Sequence, residues 1–299
     1  MLDMRDAFFF ELHEIMRDDK NVYLLTADHG AFGVDRIRAD FPYQYLNVGI
    51  AEQNLMSTAS GLALSGKIVY VYGIVNFVTL RCLDQINIDI ASMNLHINII
   101  GVGAGFTYST DGPTHHGTQD IAVMSAIPNF SIYNCTDVVT TKAFARIGYE
   151  QSGPKYIRIE KGTVENLYDS TTFDSSVGVC KIRDGKFGTI ISSGRMIHNA
   201  IAISKELADD EIGIAVIDIF RLKPFPSREL ASLLKKVQYV VILEDNVSYG
   251  GLCDRICSTL IDYGMCPTVS KLNVGDKFIF NYSVSRADIE QSAFGEYIV

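Results

Sequence analysis

The spacing of apolar residues changes several times along the chain, and each change marks an element. Over 3–18, Phe8, Leu12, Ile15 and Met16 fall at helical spacing. Val22-Tyr23-Leu24-Leu25-Thr26 then reads as a buried strand. A loop over 27–33 leaves its C-terminal end. Asp28 and His29 lie on it, at the sheet edge where ligands gather, although ordinary turn roles suit them equally. A short strand leads into Leu46-Asn47-Val48-Gly49-Ile50-Ala51-Glu52-Gln53-Asn54 and a helix over 51–65, closed by Gly66. Strands at 67–72, 97–100, 130–133 and 155–159 alternate with helices at 76–93, 119–126 and 137–150. In 76–93, Phe77, Leu80, Leu83, Ile86, Ile90 and Met93 keep helical spacing.

Periodicity fades from Glu160 to Ser176. It resumes with strands near 187–192, 212–219, 238–244 and 267–272, and with helices near 197–209, 227–236 and 250–263. Alternation in both halves predicts two three-layer α/β/α domains with mostly parallel sheets. The expected division is 1–165 and 177–299, joined by a linker at 166–176.

Composition narrows the class. The net charge is 26 − 35 = −9, and no Lys/Arg-rich block exists, which argues against nucleic acid as a partner. No run of about 18 apolar residues is present, so no membrane span is expected. The first residues lack the order of a secretory signal. Cysteines at 82, 135, 180, 253, 257 and 266 form no CxxC pair, and free thiols are the expectation. Together these features predict a soluble, cytoplasmic protein.

Three stretches carry candidate chemistry. Glu52 opens a helix among Val48, Ile50, Ala51 and Leu55, so its carboxylate is expected in a sheltered place where it needs a partner. The competing reading is a first-turn acid that favours the helix dipole. Gly101-Val102-Gly103-Ala104-Gly105 follows a strand as a dinucleotide loop does, but Phe106 stands where a small residue belongs and no helix follows directly. These glycines instead let the backbone pass close to something bulky. Tyr108-Ser109-Thr110-Asp111-Gly112-Pro113-Thr114-His115-His116-Gly117 is a loop turned by Asp-Gly-Pro. Its acid and two imidazoles either bind and protonate an oxygen-rich substrate or are merely polar surface. No third ligand at metal spacing accompanies them. His198, after Ser192-Ser193-Gly194, is best read as a solvated residue at a strand-to-helix turn.

Taken in order, Asn-Val-Gly-Ile-Ala-Glu-Gln (47–53), Phe77 ahead of Arg81 and Asp84-Gln85, and Asp-Gly-Pro-Thr-His-His-Gly (111–117) resemble the C-terminal half of transketolases. They are also similar to the matching half of 1-deoxyxylulose 5-phosphate synthases. The resemblance continues through Val216–Pro224 and Glu244–Gly251, and so covers nearly the whole chain.

That resemblance implies thiamine diphosphate, bound between domains of different chains, with residues 1–165 holding its aminopyrimidine ring. Glu52 matches the glutamate that hydrogen-bonds this ring, and Phe77 the aromatic that stacks on it. Ile50 and Arg81 fall with them among the cofactor-binding positions. His115 matches a catalytic substrate-site histidine and Asp111 a partner for sugar hydroxyls. His116, Arg158, Lys161 and His29 complete the implied substrate-binding set. The Gly-Asp-Gly and distant Asn that hold Mg²⁺ and the diphosphate in this family do not occur here. The resemblance therefore implies a split enzyme, completed by an N-terminal, diphosphate-binding subunit in an α2β2 assembly. Its reaction would transfer a two-carbon ketol unit from a ketose to an aldose. A decarboxylating subunit and a non-catalytic assembly subunit are the alternatives. Gly103 stands where relatives carry His or Arg, which leaves the sugar unspecified.

Overall fold

A computed structural model describes residues 2–209, 211–282 and 284–294. The strands in chain order are β1 Val22–Thr26, β2 Tyr45–Asn47, β3 Ile68–Ile74, β4 Ile97–Val102, β5 Ser131–Asn134 and β6 Lys155–Ile159. They continue as β7 Val179–Arg183, β8 Gly188–Ser192, β9 Ile214–Ile219, β10 Arg221–Lys223, β11 Tyr239–Leu243 and β12 Thr268–Leu272. They build a seven-stranded sheet, β10-β5-β6-β4-β3-β1-β2, and a five-stranded sheet, β12-β11-β8-β9-β7. All pairings are parallel except those of β10 with β5 and of β7 with β9.

The central strands are apolar on both faces because helices cover both. In β3, Val69 and Val71 enter the core beneath the helix Glu52–Leu64, whereas Tyr70 and Tyr72 enter the core beneath the helix Met4–Asp18. A run of this kind leaves no alternation for the sequence to display.

Several elements differ from the periodic expectation. The helix Phe32–Asp40 lies where a loop end was expected. It buries only Gly33, Val34 and Ile37, and Gly33 is there for contact: a Cβ would stand 2.5 Å from Phe9 Cβ. The expected helix over 76–93 is a chain of short turns, Val75–Val78, Leu80–Cys82, Leu83–Gln85 and a π-helical Ile86–Ala91. Thr79 interrupts it with φ −123° and ψ −79°, its hydroxyl donating to Val75 O at 2.6 Å. The strands β7 and β10 and the helix Arg286–Phe294 carry no readable period and were not expected. The strand β10 belongs in sequence to the second half but extends the first sheet, so the halves share backbone hydrogen bonds. The end of the expected second domain, 295–299, lies outside the described residues.

Candidate active site

The C-terminal ends of β1, β3 and β4 are neighbours in the first sheet, and the turn after β2 lies beside them. The sequence between β2 and the next helix folds as it does because Asn47 ties two loops together. Its Oδ1 accepts from Asp28 N and Gly49 N, each at 2.9 Å, and its Nδ2 donates to Asp28 Oδ1 at 3.1 Å. Gly49 takes φ +76°, which a glycine adopts without strain. Asp28 thus serves the turn, and the helix Glu52–Leu64 starts with Glu52 aimed inward.

Glu52 is 3% exposed. Its Oε2 accepts from Arg81 Nη1 at 2.7 Å, while Oε1 is buried with no hydrogen-bond partner among the described residues. The next residue, Gln53, donates to Arg81 O at 3.2 Å and holds that arginine's backbone in place. Arg81 also lies over the Phe77 ring, 4.2 Å from its centroid. Ile50 corrects one expectation. It is 78% exposed, so it does not shelter Glu52 and instead faces outward beside it.

Phe77 is the hub of the cluster. His115 meets its ring edge-on at 5.1 Å, and His29 stands 6.4 Å away. Burial pushes the His29 imidazole below its ordinary pKa, with Glu52 pulling it back up. Tyr108 adds a further ring 6.0 Å from His115, and Lys161 Nζ lies 5.6 Å from the Tyr108 ring. Gly103, with φ +101°, has its bulky neighbour here: a Cβ would stand 2.4 Å from Tyr108 Cε2. Asn76 Nδ2 donates to the carbonyls of Thr114 and His116, both at 3.0 Å, and fixes the loop that carries His115. Tyr108 and Asn76 were not among the expected site residues, since neither has a periodic or pairing signal in the sequence. The one local hint for Asn76 is its place next to Phe77.

The expected substrate-binding residues separate into two groups. Asp111 and Lys161 are exposed at the rim, and His29 and His115 are half-buried at its centre. His116 and Arg158 are corrected. His116 is buried, with its ring against Phe106 at 5.2 Å, because the loop turns it inward one residue after His115. Arg158 has no exposed surface. It is spent on Asp120 at 2.8 Å, on Gly117 O at 2.6 Å and on Asp245 at 3.1 Å. His198 is half-buried, its Nε2 paired with Thr136 O at 2.9 Å, rather than solvated. All six cysteines are free. Among the described residues no group of three His, Cys, Asp or Glu side chains could hold a metal ion, and no helix is long and apolar enough to cross a membrane.

A shielded carboxylate with one unpaired oxygen, an aromatic ring and two imidazoles thus gather at a parallel sheet's C-terminal edge, where two-domain α/β proteins of this kind collect ligands. Residues 1–166 match the transketolase pyrimidine-binding domain and residues 179–293 the transketolase C-terminal domain. The chain belongs to the transketolase family, a family of thiamine diphosphate-dependent transferases.

Several relatives are named as subunits or sections of a transketolase. The chain is 29% identical over 262 residues to one subunit of the apulose-4-phosphate transketolase of Phocaeicola vulgatus, covering 87% of this chain and 84% of that one. It is 30% identical over 251 residues to a 6-deoxy-6-sulfo-D-fructose transketolase subunit of a Clostridium species, covering 83% and 78%. A solved structure described as a split-gene transketolase in an inactive β4 tetramer superimposes with a TM-score of 0.87 at 27% identity, over 99% of this chain and 94% of that one.

Proposed function

We propose that this chain is the C-terminal, pyrimidine-holding subunit of a two-chain transketolase, acting with a separate diphosphate-binding subunit on a sugar or sugar phosphate. The observation that carries this reading is Glu52 Oε1, buried and without a partner among the described residues. Leaving a buried carboxylate oxygen unmet is costly, and a ring nitrogen of the cofactor is a fitting partner. Phe77 supplies an apolar surface for the same ring. Arg81 holds the other Glu52 oxygen and so keeps the carboxylate turned toward the ligand.

Thiamine diphosphate, when bound, supplies the nucleophilic carbon that carries a two-carbon ketol unit from ketose to aldose. His115 moves protons at the sugar hydroxyls, His29 faces the same space from the end of β1, and Asp111 and Lys161 bind the sugar from the rim. Mg²⁺ and the diphosphate fall to the partner subunit. Exposed Ile50, Leu83, Ile88 and Met93 support an interface covered by other chains in an α2β2 assembly. We place the domain division at the linker 166–176, between β6 and β7. Six free thiols support a cytoplasmic setting.

The test is reconstitution with the partner subunit, thiamine diphosphate, Mg²⁺ and a panel of ketose and aldose phosphates. Ketol transfer that needs both chains is expected. CO₂ release from pyruvate without ketol transfer would replace this reading with a decarboxylating one. A His115→Ala enzyme that kept full rate with every accepted sugar would remove the role given to His115.

A further inference from the structure

Residues 106–116 leave the first domain as one excursion. Its base is closed by Gly105 N donating to Gly117 O at 3.0 Å and Gly117 N donating to Gly105 O at 2.8 Å. Asn76 of the first domain holds the carbonyls of Thr114 and His116, and further ties of the excursion reach the second domain. Phe106, 1% exposed, belongs to the second domain's apolar cluster with Ile190, Met196, Leu243 and Phe294. The same ring packs against His116.

At the base, Arg158 joins Gly117 O to Asp245, which follows β11. Asp245 stands so close that a Cβ on Gly105 would lie 2.2 Å from its Oδ2. Two residues on, Val247 N donates to Thr118 O at 2.8 Å. At the tip, the Tyr282 ring fills the space beside Gly112, where a Cβ would stand 2.1 Å from Tyr282 Cε1. Ser109 Oγ donates to Val284 O at 3.1 Å. Thr107 donates to Glu160, which Arg286 pairs at 2.6 Å.

We infer that the second domain is the positioning body of the substrate loop, with Phe106, Asp245 and Tyr282 as positioning residues for His115. The mechanical link is short. Tyr282 packs on Gly112, and Gly112 O accepts from His115 N at 3.0 Å and His116 N at 3.2 Å. A loop over open sheet ends would otherwise sample many conformations, whereas proton transfer requires a fixed imidazole. The second domain touches no reacting atom; it acts through the loop backbone. Its consequence for kinetics rests on the transketolase reading, but its consequence for loop order does not.

Hydrogen–deuterium exchange on the full chain tests it, using Tyr282→Ala, Tyr282→Phe and Asp245→Asn. Tyr282 is exposed, so its replacement spares the core. Amides of 105–117 are expected to exchange about tenfold faster in Tyr282→Ala and Asp245→Asn, with the helix Met4–Asp18 and β3 unchanged, and Tyr282→Phe to restore protection. With the partner subunit, kcat/KM for sugars should fall about 10- to 100-fold in the same two variants. Binding of thiamine diphosphate, which the proposed function assigns to Glu52 and Phe77 outside this loop, should keep the wild-type affinity.

Wild-type protection of 105–117 in both variants would overturn the inference. So would a loosened loop with unaltered sugar kinetics, or protection lost evenly through the chain. A loosened loop in a protein that shows no ketol transfer even as wild type would support the positioning role and remove the transketolase reading instead.

Discussion

Arg81 meets Glu52 at 2.7 Å and Arg158 meets Asp120 at 2.8 Å, yet Arg81 keeps 45% of its side chain exposed and Arg158 keeps none. The first pair leaves one buried Glu52 oxygen without a partner among the described residues. In the second, the Arg158 guanidinium is filled by Asp120, Gly117 O and Asp245, and Tyr156 OH adds a bond to Asp120 at 2.6 Å. Burial alone would lower the Arg158 pKa, but Asp120 and Asp245 push it up instead. An arginine–carboxylate pair thus keeps one oxygen unmet in one place and forms a closed internal tie in another. The deciding factor is how many partners the surrounding structure supplies: two further groups, Asp245 and Gly117 O, close in on Arg158.

Four substitutions break or sharpen that contrast. The largest effect should come from Glu52→Gln, which keeps the shape of the open pair but removes its charge. In the reconstituted enzyme the ketol-transfer rate should fall by about 10²–10⁴-fold with little change in the urea midpoint. An unaltered rate would show that the open oxygen is idle.

Arg158→Met should do the reverse. It strands Asp120 and Asp245 in the interior, for a loss of about 3–5 kcal/mol of unfolding free energy, read from urea titration. A loss below about 1 kcal/mol would mean that the sealed pair is no tie.

Asp218 is the third case, a buried carboxylate with no arginine against it among the described residues. It accepts from Thr136 Oγ1 at 2.7 Å and Tyr168 OH at 2.8 Å, and burial pushes its pKa up to about 7. Between about pH 4 and 7 the folded protein holds this proton while the unfolded chain has released it. The stabilisation is therefore complete below the unfolded value and is lost as pH rises toward 7. Asp218→Asn should flatten that part of the stability–pH curve and gain up to about 4 kcal/mol at pH 8. An unchanged slope between pH 4 and 7 would place the titration elsewhere.

The smallest effect is expected for Arg81→Ala. Its arginine is half in solvent but its carboxylate is buried, so the loss in urea unfolding should be about 1–3 kcal/mol, below that of Arg158→Met.

Both arginines belonged to the expected site, and nothing in their local sequence separates them. Arg81 does contact Glu52, whereas Arg158, expected to bind substrate, is buried and donates to Gly117 O at the base of the loop. The alternating α/β order, the strand ends and the placement of Glu52 and Phe77 were legible, because they rest on local period and on a loop's position relative to a strand. The helix Phe32–Asp40 was hidden by Gly33, chosen for contact with Phe9 rather than for helix propensity. The break at Thr79 was hidden because the apolar spacing runs through it. Phe106 stood out only as a residue too large for a dinucleotide loop, and its reason is an apolar cluster built by the other domain.

What the sequence by itself determined is the number and kind of domains, the sheet edge where chemistry collects and the carboxylate that opens the third long helix. Each follows from short-range pattern, which survives whatever packs around it. The tertiary structure alone decided which arginine is open, which of His115 and His116 faces the site, and that β10 and Tyr282 of the second half complete the first. Those choices depend on groups far apart in the chain, Ser109 and Val284 being 175 positions apart. Burial and hydrogen-bond satisfaction are properties of the assembled surroundings, so no local stretch of residues encodes them.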